Sequence, residues 1–172
     1  MSYVHHTILI VDGNVDQAHF IKLALQKVGV ITPVQVVADG AEAVRYLAGE
    51  GVYLDRESYP IPVLLLLDLT PPADAGVRFL SWLRAQPVLG RLPVIAVSEP
   101  APIAELNRAY ELGCNSYLIK PTSFNTLLVM MQGVVQYWLD LNAGPDVGTA
   151  TGYGARLPLQ GVAGESRPEP GA

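Results

Sequence analysis

Five short apolar runs limit what this chain can fold into. They are Thr7–Val11, Val34–Ala38, Val63–Leu67, Val94–Val97 and Ser116–Ile119, and Pro, Gly, Asp or Asn bounds each. A strand with one wet face alternates apolar and polar residues. Most of these runs are continuously apolar instead, which fits strands of a parallel sheet buried on both faces. Helical patterns lie between them. Asn14 or Asp16 can cap a helix carrying Phe20, Ile21, Leu23, Ala24 and Val28, stopped by Gly29. Asp39 can cap a shorter one through Ala43, Val44 and Leu47. Asp74 precedes a third carrying Val77, Phe79, Leu80 and Leu83, and Pro87 forbids much continuation. Ala101–Leu112 is the fourth, and Ser123–Leu141 the fifth and longest. Five strands alternating with five helices predict an α/β doubly wound domain.

The alternation stops near residue 142. From Ala143 to Ala172 there are seven Gly and four Pro and no apolar period, so this stretch cannot offset its own ordering entropy. The expected division is a folded domain over 1–142 and a flexible Gly/Pro-rich tail over 143–172, with no attached output domain. Net charge is −5 and the Lys and Arg do not cluster, so a nucleic-acid partner is not expected. No apolar run approaches the roughly 18–20 residues of a membrane span. No basic segment followed by a long apolar stretch opens the chain, so no secretory signal is read. The single cysteine, Cys114, excludes an internal disulfide framework and suits a reducing, cytoplasmic setting. His5, His6 and His19 lack metal-ligand spacing. No Gly-rich phosphate loop and no Gly-x-Ser-x-Gly elbow is present, which argues against a nucleotide-binding or hydrolytic enzyme.

In doubly wound folds the reactive groups gather at the carboxyl ends of the strands. The strand-ending residues here are Asp12, Asp39, Asp68, Ser98 and Lys120. Singly, each reads as a cap or a turn residue. As a set they bring together two carboxylates, a hydroxyl and an ammonium. Asp39 ends the second strand, outside the crevice, and is expected only to cap a helix.

These residues sit in the segments Ile8-Leu-Ile-Val-Asp-Gly-Asn, Leu65-Leu-Leu-Asp-Leu-Thr-Pro-Pro, Pro93-Val-Ile-Ala-Val-Ser and Ser116-Tyr-Leu-Ile-Lys-Pro. In them the chain resembles the receiver domain of two-component response regulators, over residues 6 to about 140. Two softer cues resemble the stand-alone regulators of bacterial phytochrome kinases: the long segment Gly49–Tyr59 and the terminal Gln136-Tyr-Trp-Leu. The resemblance implies a flavodoxin-like (βα)5 fold with strand order 2-1-3-4-5. It implies a non-enzymatic phosphorelay protein in which Asp68 accepts a phosphoryl group from a histidine kinase, with Lys120 and Ser98 holding its oxygens. Mg²⁺ would be held by Asp12, Asp68 and the backbone carbonyl of Thr70. Ser98 and Tyr117 would form the switch. A homodimer is implied through the fourth helix, fifth strand and fifth helix. The apolar fifth helix supports it, with Leu128, Met131, Val135 and Trp138 as the expected interface.

One departure stands out. The family carries two adjacent acids after the first strand, whereas this chain has Asp12 and then Gly13. Loss of that carboxylate predicts weakened Mg²⁺ binding and leaves open a pseudo-receiver that signals without phosphorylation. Glu99, after Ser98, either repels the phosphoryl group or faces solvent. The loop Val52–Tyr59 is either a kinase contact or a solvated insertion.

Overall fold

The computed structural model describes residues 7–70 and 74–148. Five parallel strands form one sheet in the order β2-β1-β3-β4-β5. They are β1 Ile8–Val11, β2 Val34–Val37, β3 Leu64–Leu67, β4 Val94–Ser98 and β5 Ser116–Ile119. The helices are α1 Val15–Lys27, α2 Gly40–Ala48, α3 Asp74–Arg84, α4 Ile103–Glu111 and α5 Phe124–Val135. A π-helical turn, Gln136–Leu141, continues α5.

The three inner strands are buried at every residue, as their continuous apolar runs require. The edge strands β2 and β5 are only partly covered. Alternation along each inner strand divides the core in two. Leu9, Val11, Leu65 and Leu67 face α2 and α3, while Ile8, Ile10, Leu64 and Leu66 face α1 and α5. Parallel registers such as Val11↔Leu67 level the carboxyl ends of β1 and β3, so the residues that follow each strand emerge together.

Helix starts follow the cap chemistry. Asn14 accepts from the Gln17 amide and Asp39 from the Glu42 amide. α4 is shorter than expected, because Pro102 occupies its N-cap. α1 buries Ile21 and Ala24 of the expected apolar residues but not Phe20. Ala18, Ile21, Ala24 and Leu25 are buried, whereas Phe20 is 50% exposed.

The expected dimer residues need correction. Met131 is wholly buried and Val135 nearly so, both in the core beneath α5. Leu128 and Trp138 pack against the edge of the same cluster and stay half-buried, so the expectation is overturned for Met131 and Val135 alone. The exposed apolar residues of α5 and its continuation are Val129, Tyr137 and Leu141.

The boundary at 142 also moves. Val147 is 2% exposed and joins the core cluster on the α2/α3 side, while Leu139 belongs to the cluster on the α1/α5 side. Residues 139–147 therefore carry the chain from one face of the sheet to the other. Of the expected tail, residues 149–172 lie outside the described residues.

The loop after α2 is a packed insertion rather than a solvated one. Tyr46, Tyr53 and Tyr59 meet with ring centroids 5.0 to 6.0 Å apart. Arg56 donates to the carbonyls of Tyr46, Leu47 and Tyr59. Gly49 turns the chain with φ +75, and a side chain there would meet the Arg56 guanidinium at 2.8 Å.

Candidate functional site

The strand ends bring Asp12, Asp68, Ser98 and Lys120 together. Asp12 follows β1 and is 4% exposed. Its Oδ1 accepts the Asn14 N–H at 2.8 Å, and its Oδ2 accepts from Lys120 at 3.1 Å. Burial raises its carboxyl above the usual carboxylate range, with the Asn14 amide and the Lys120 charge opposing the rise. Lys120 follows β5 and lies in a second ion pair, with Asp68 Oδ1, at 3.1 Å. It also donates to Gln17 Oε1.

Asp68 follows β3, and its two oxygens differ. Oδ1 accepts from the Thr70 amide at 2.8 Å and the Thr70 hydroxyl at 2.6 Å, besides its ion pair with Lys120. Oδ2 receives no hydrogen bond from any described residue. The side chain is 19% exposed. Asp68 is thus a carboxylate gripped by one oxygen, with the other open to an incoming group.

Ser98 ends β4 and is completely buried, yet its hydroxyl has no hydrogen-bond partner among the described residues. A buried hydroxyl left unpaired costs free energy of roughly 1–3 kcal/mol. The Ser98 carbonyl accepts the Lys120 backbone N–H at 2.8 Å, which sets Ser98 beside the end of β5. Tyr117 on β5 is half-buried against the α2/α3 cluster. Glu99 neither points freely to solvent nor sits alone. Its carboxylate accepts from Gln17 Nε2 at 3.2 Å, and its amide donates to the Thr70 hydroxyl at 3.2 Å.

The donor set sets a limit on metal binding. Mg²⁺ prefers octahedral oxygen coordination, keeps several waters and uses one or two carboxylates plus phosphate oxygens. Asp12 and Asp68 meet that minimum and no more. Among the described residues no group of three or more His, Cys, Asp or Glu could hold a metal. Gly13 is the gap in the set. A Cβ built there would lie 3.2 Å from the Ala38 carbonyl oxygen, so a side chain fits after a small shift.

Sequence reasoning found Asp12, Asp68, Ser98 and Lys120 because each ends a strand. It used only the carbonyl of Thr70, whose hydroxyl and amide grip Asp68. It missed Gln17, which lies on the first turns of a helix and carries no motif.

A family model described as "Response regulator receiver domain" matches residues 8–132. The chain is 33% identical over 138 residues to a probable methanogenesis regulatory protein, FilR2, of Methanothrix harundinacea, covering 80% of this chain and 86% of that protein. It is 29% identical over 133 residues to the response regulator Rcp1 of Synechocystis, covering 77% and 88%. Among solved structures it is similar to a phosphorylated cyanobacterial phytochrome response regulator, RcpA. That likeness has 31% identity and a TM-score of 0.74, over 83% of this chain and all of the other.

Proposed function

The chain belongs to the response regulator receiver domain family, a family of signalling modules, and from that premise we propose that it is a phosphoacceptor. Asp68 accepts a phosphoryl group from a histidine kinase, and the state of the site is passed on by protein contacts. The observation that carries this reading is the asymmetry of Asp68, with Oδ1 held by Thr70 and Lys120 and Oδ2 left open.

In the transfer, the open oxygen attacks phosphorus. The P–N bond of the phosphohistidine breaks, and its electron pair returns to the imidazole nitrogen. An O–P bond forms on Asp68. Positioning and charge neutralisation supply most of what such a transfer needs. Lys120 neutralises one phosphoryl oxygen, and the unpaired Ser98 hydroxyl donates to another. Tyr117 then follows the hydroxyl inward. Receiver domains bind Mg²⁺; here Asp12, Asp68 and the Thr70 carbonyl would hold it, weakly for want of an acid at Gly13, and it would supply charge screening for the transfer.

The likeness to Rcp1 and RcpA supports a phytochrome-type kinase as the donor. No helix among the described residues is long and apolar enough to cross a membrane, and a cytoplasmic site of action fits. A homodimer fits the exposed apolar residues on α4, β5 and α5: Ile103, Tyr110, Ile119, Val129, Tyr137 and Leu141.

One observation favours a second reading, a pseudo-receiver that works without phosphate. Lys120 already occupies both carboxylates, and Gly13 removes the acid that would compete for a metal. Beryllofluoride, a phosphoryl mimic, separates the two readings in a titration with rising Mg²⁺. Binding to the wild-type protein and not to Asp68→Asn supports the phosphoacceptor. No binding at any Mg²⁺ level, together with no transfer from a phytochrome kinase, supports the pseudo-receiver.

A further inference from the structure

Five residues around Asp68 form a closed circuit. The Thr70 hydroxyl donates to Asp68 Oδ1 at 2.6 Å, and the Glu99 amide donates to the Thr70 hydroxyl at 3.2 Å. Gln17 Nε2 donates to the Glu99 carboxylate at 3.2 Å. Gln17 Oε1 accepts from Lys120, and Lys120 closes the ring in its ion pair with Asp68 Oδ1. The circuit joins the ends of β3, β4 and β5 to the first turns of α1. Gln17 is set in place by its own backbone, since its amide donates to the Asn14 cap at 3.0 Å.

A lysine ammonium has three N–H bonds. Here it faces three acceptors: Asp12 Oδ2, Asp68 Oδ1 and Gln17 Oε1. The contacts to Asp12 and Gln17 are hydrogen bonds and the one to Asp68 is an ion pair at 3.1 Å, so an arriving oxyanion must compete with three acceptors crowded about one ammonium. Two of its partners are anionic and one is neutral. The carboxylates add a charge–charge attraction to the ammonium that the neutral carboxamide lacks. The neutral carboxamide is the partner that gives way. A groove of about 340 Å³ lined by Gln17, Phe20, Lys120 and Phe124 gives the released side chain room.

We propose that Gln17 is a positioning residue for Lys120: it holds the ammonium in the resting circuit and surrenders it when an oxyanion is bound at Asp68. The inference rests on the phosphoacceptor reading. It adds to that reading a residue that sets how readily the site takes its ligand. The resting circuit favours the empty site, so cutting it favours the loaded one.

The test compares wild type with Gln17→Leu and Gln17→Asn in beryllofluoride titrations at saturating Mg²⁺. Leu has no acceptor and Asn is one methylene too short to reach. Both variants bind roughly three- to tenfold more tightly, the worth of one ordinary hydrogen bond. Gln17 is partly exposed on a helix surface, so both variants fold. A second readout follows Lys120 itself. The chain has three lysines, at 22, 27 and 120, so ¹⁵N-lysine labelling gives a resolvable spectrum. In the ligand-free wild type the Lys120 ammonium exchanges slowly with water, and in Gln17→Leu that protection is lost. Affinities equal to wild type in both variants overturn the exchange step while leaving Asp68 as phosphoacceptor. A fast-exchanging ammonium in wild type overturns the circuit. A wild-type protein that takes no beryllofluoride overturns the phosphoacceptor reading, and the exchange step with it.

Discussion

Gly13, the residue after Asp12, brings no side chain to this site. Asp12 and Asp68 meet the minimum donor set for Mg²⁺, and Gly13 offers only backbone beside them. Gly13→Asp should raise Mg²⁺ affinity roughly tenfold or more, through added ligand charge in a partly desolvated site. Calorimetric titration measures it, and an unchanged affinity removes Gly13 as the cause of weak binding. Tyr53 offers a test at the other end of the pH scale. Burial, reinforced by its hydrogen bond to Glu42, pushes its phenol up to about 12. The folded state thus favours the protonated phenol. The stability Tyr53 contributes is complete below pH 10 and is lost as pH rises through about 12. Tyr53→Phe should cost about 1 kcal/mol at pH 7 and flatten the alkaline decline in urea melts. The four strand-end residues were legible in the sequence because topology alone gathers them. Gln17 was not, since its partner Lys120 lies 103 positions away and Glu99 lies 82. A polar residue on a helix gives no sign of which neighbour it will meet.

At the scale of elements, strands were easier to read than helix faces. An inner strand is apolar at every position, so its bounds follow from composition. A helix apolar on most sides does not declare which stripe is inner. In α5 the stripe Leu127, Met131, Val134 and Val135 packs against β1, β3 and β4 and the helix α1, leaving Val129 outside. The two classes of position respond differently to charge. Val129→Glu should leave the fold intact and convert a dimer to a monomer in sedimentation. Met131→Glu should unfold the protein, by burying a charge without a partner. A Val129→Glu protein that remains dimeric places the interface on another face. The insertion after α2 stood out in the sequence, but its packing did not. Its two tyrosines, Tyr53 and Tyr59, read as loop residues until Tyr46 of α2, Arg56 and the α2 carbonyls are placed around them.

The whole molecule is closed from below by the segment after α5. Sequence composition ended the domain at 142, because Gly and Pro dominate from there on and one valine makes no pattern. Yet Val147 is buried in the α2/α3 core, only 2% exposed. A chain ending at Asn142 should lose about 2 kcal/mol relative to one ending at Gly148, the worth of one buried aliphatic side chain. At this size that lowers the melting temperature by roughly 4–8 °C, which calorimetry resolves. Equal melting temperatures would show that the contact contributes nothing.

The path of that segment fixes a polarity of another kind. Gly148 lies beside Val88, ahead of β4, at the amino edge of the sheet. Asp68 and Lys120 lie at the carboxyl edge, so the chain leaves its described part at the pole farthest from the chemistry. A fluorophore or affinity handle attached just after Gly148 would leave the phosphoacceptor mouth clear for a kinase.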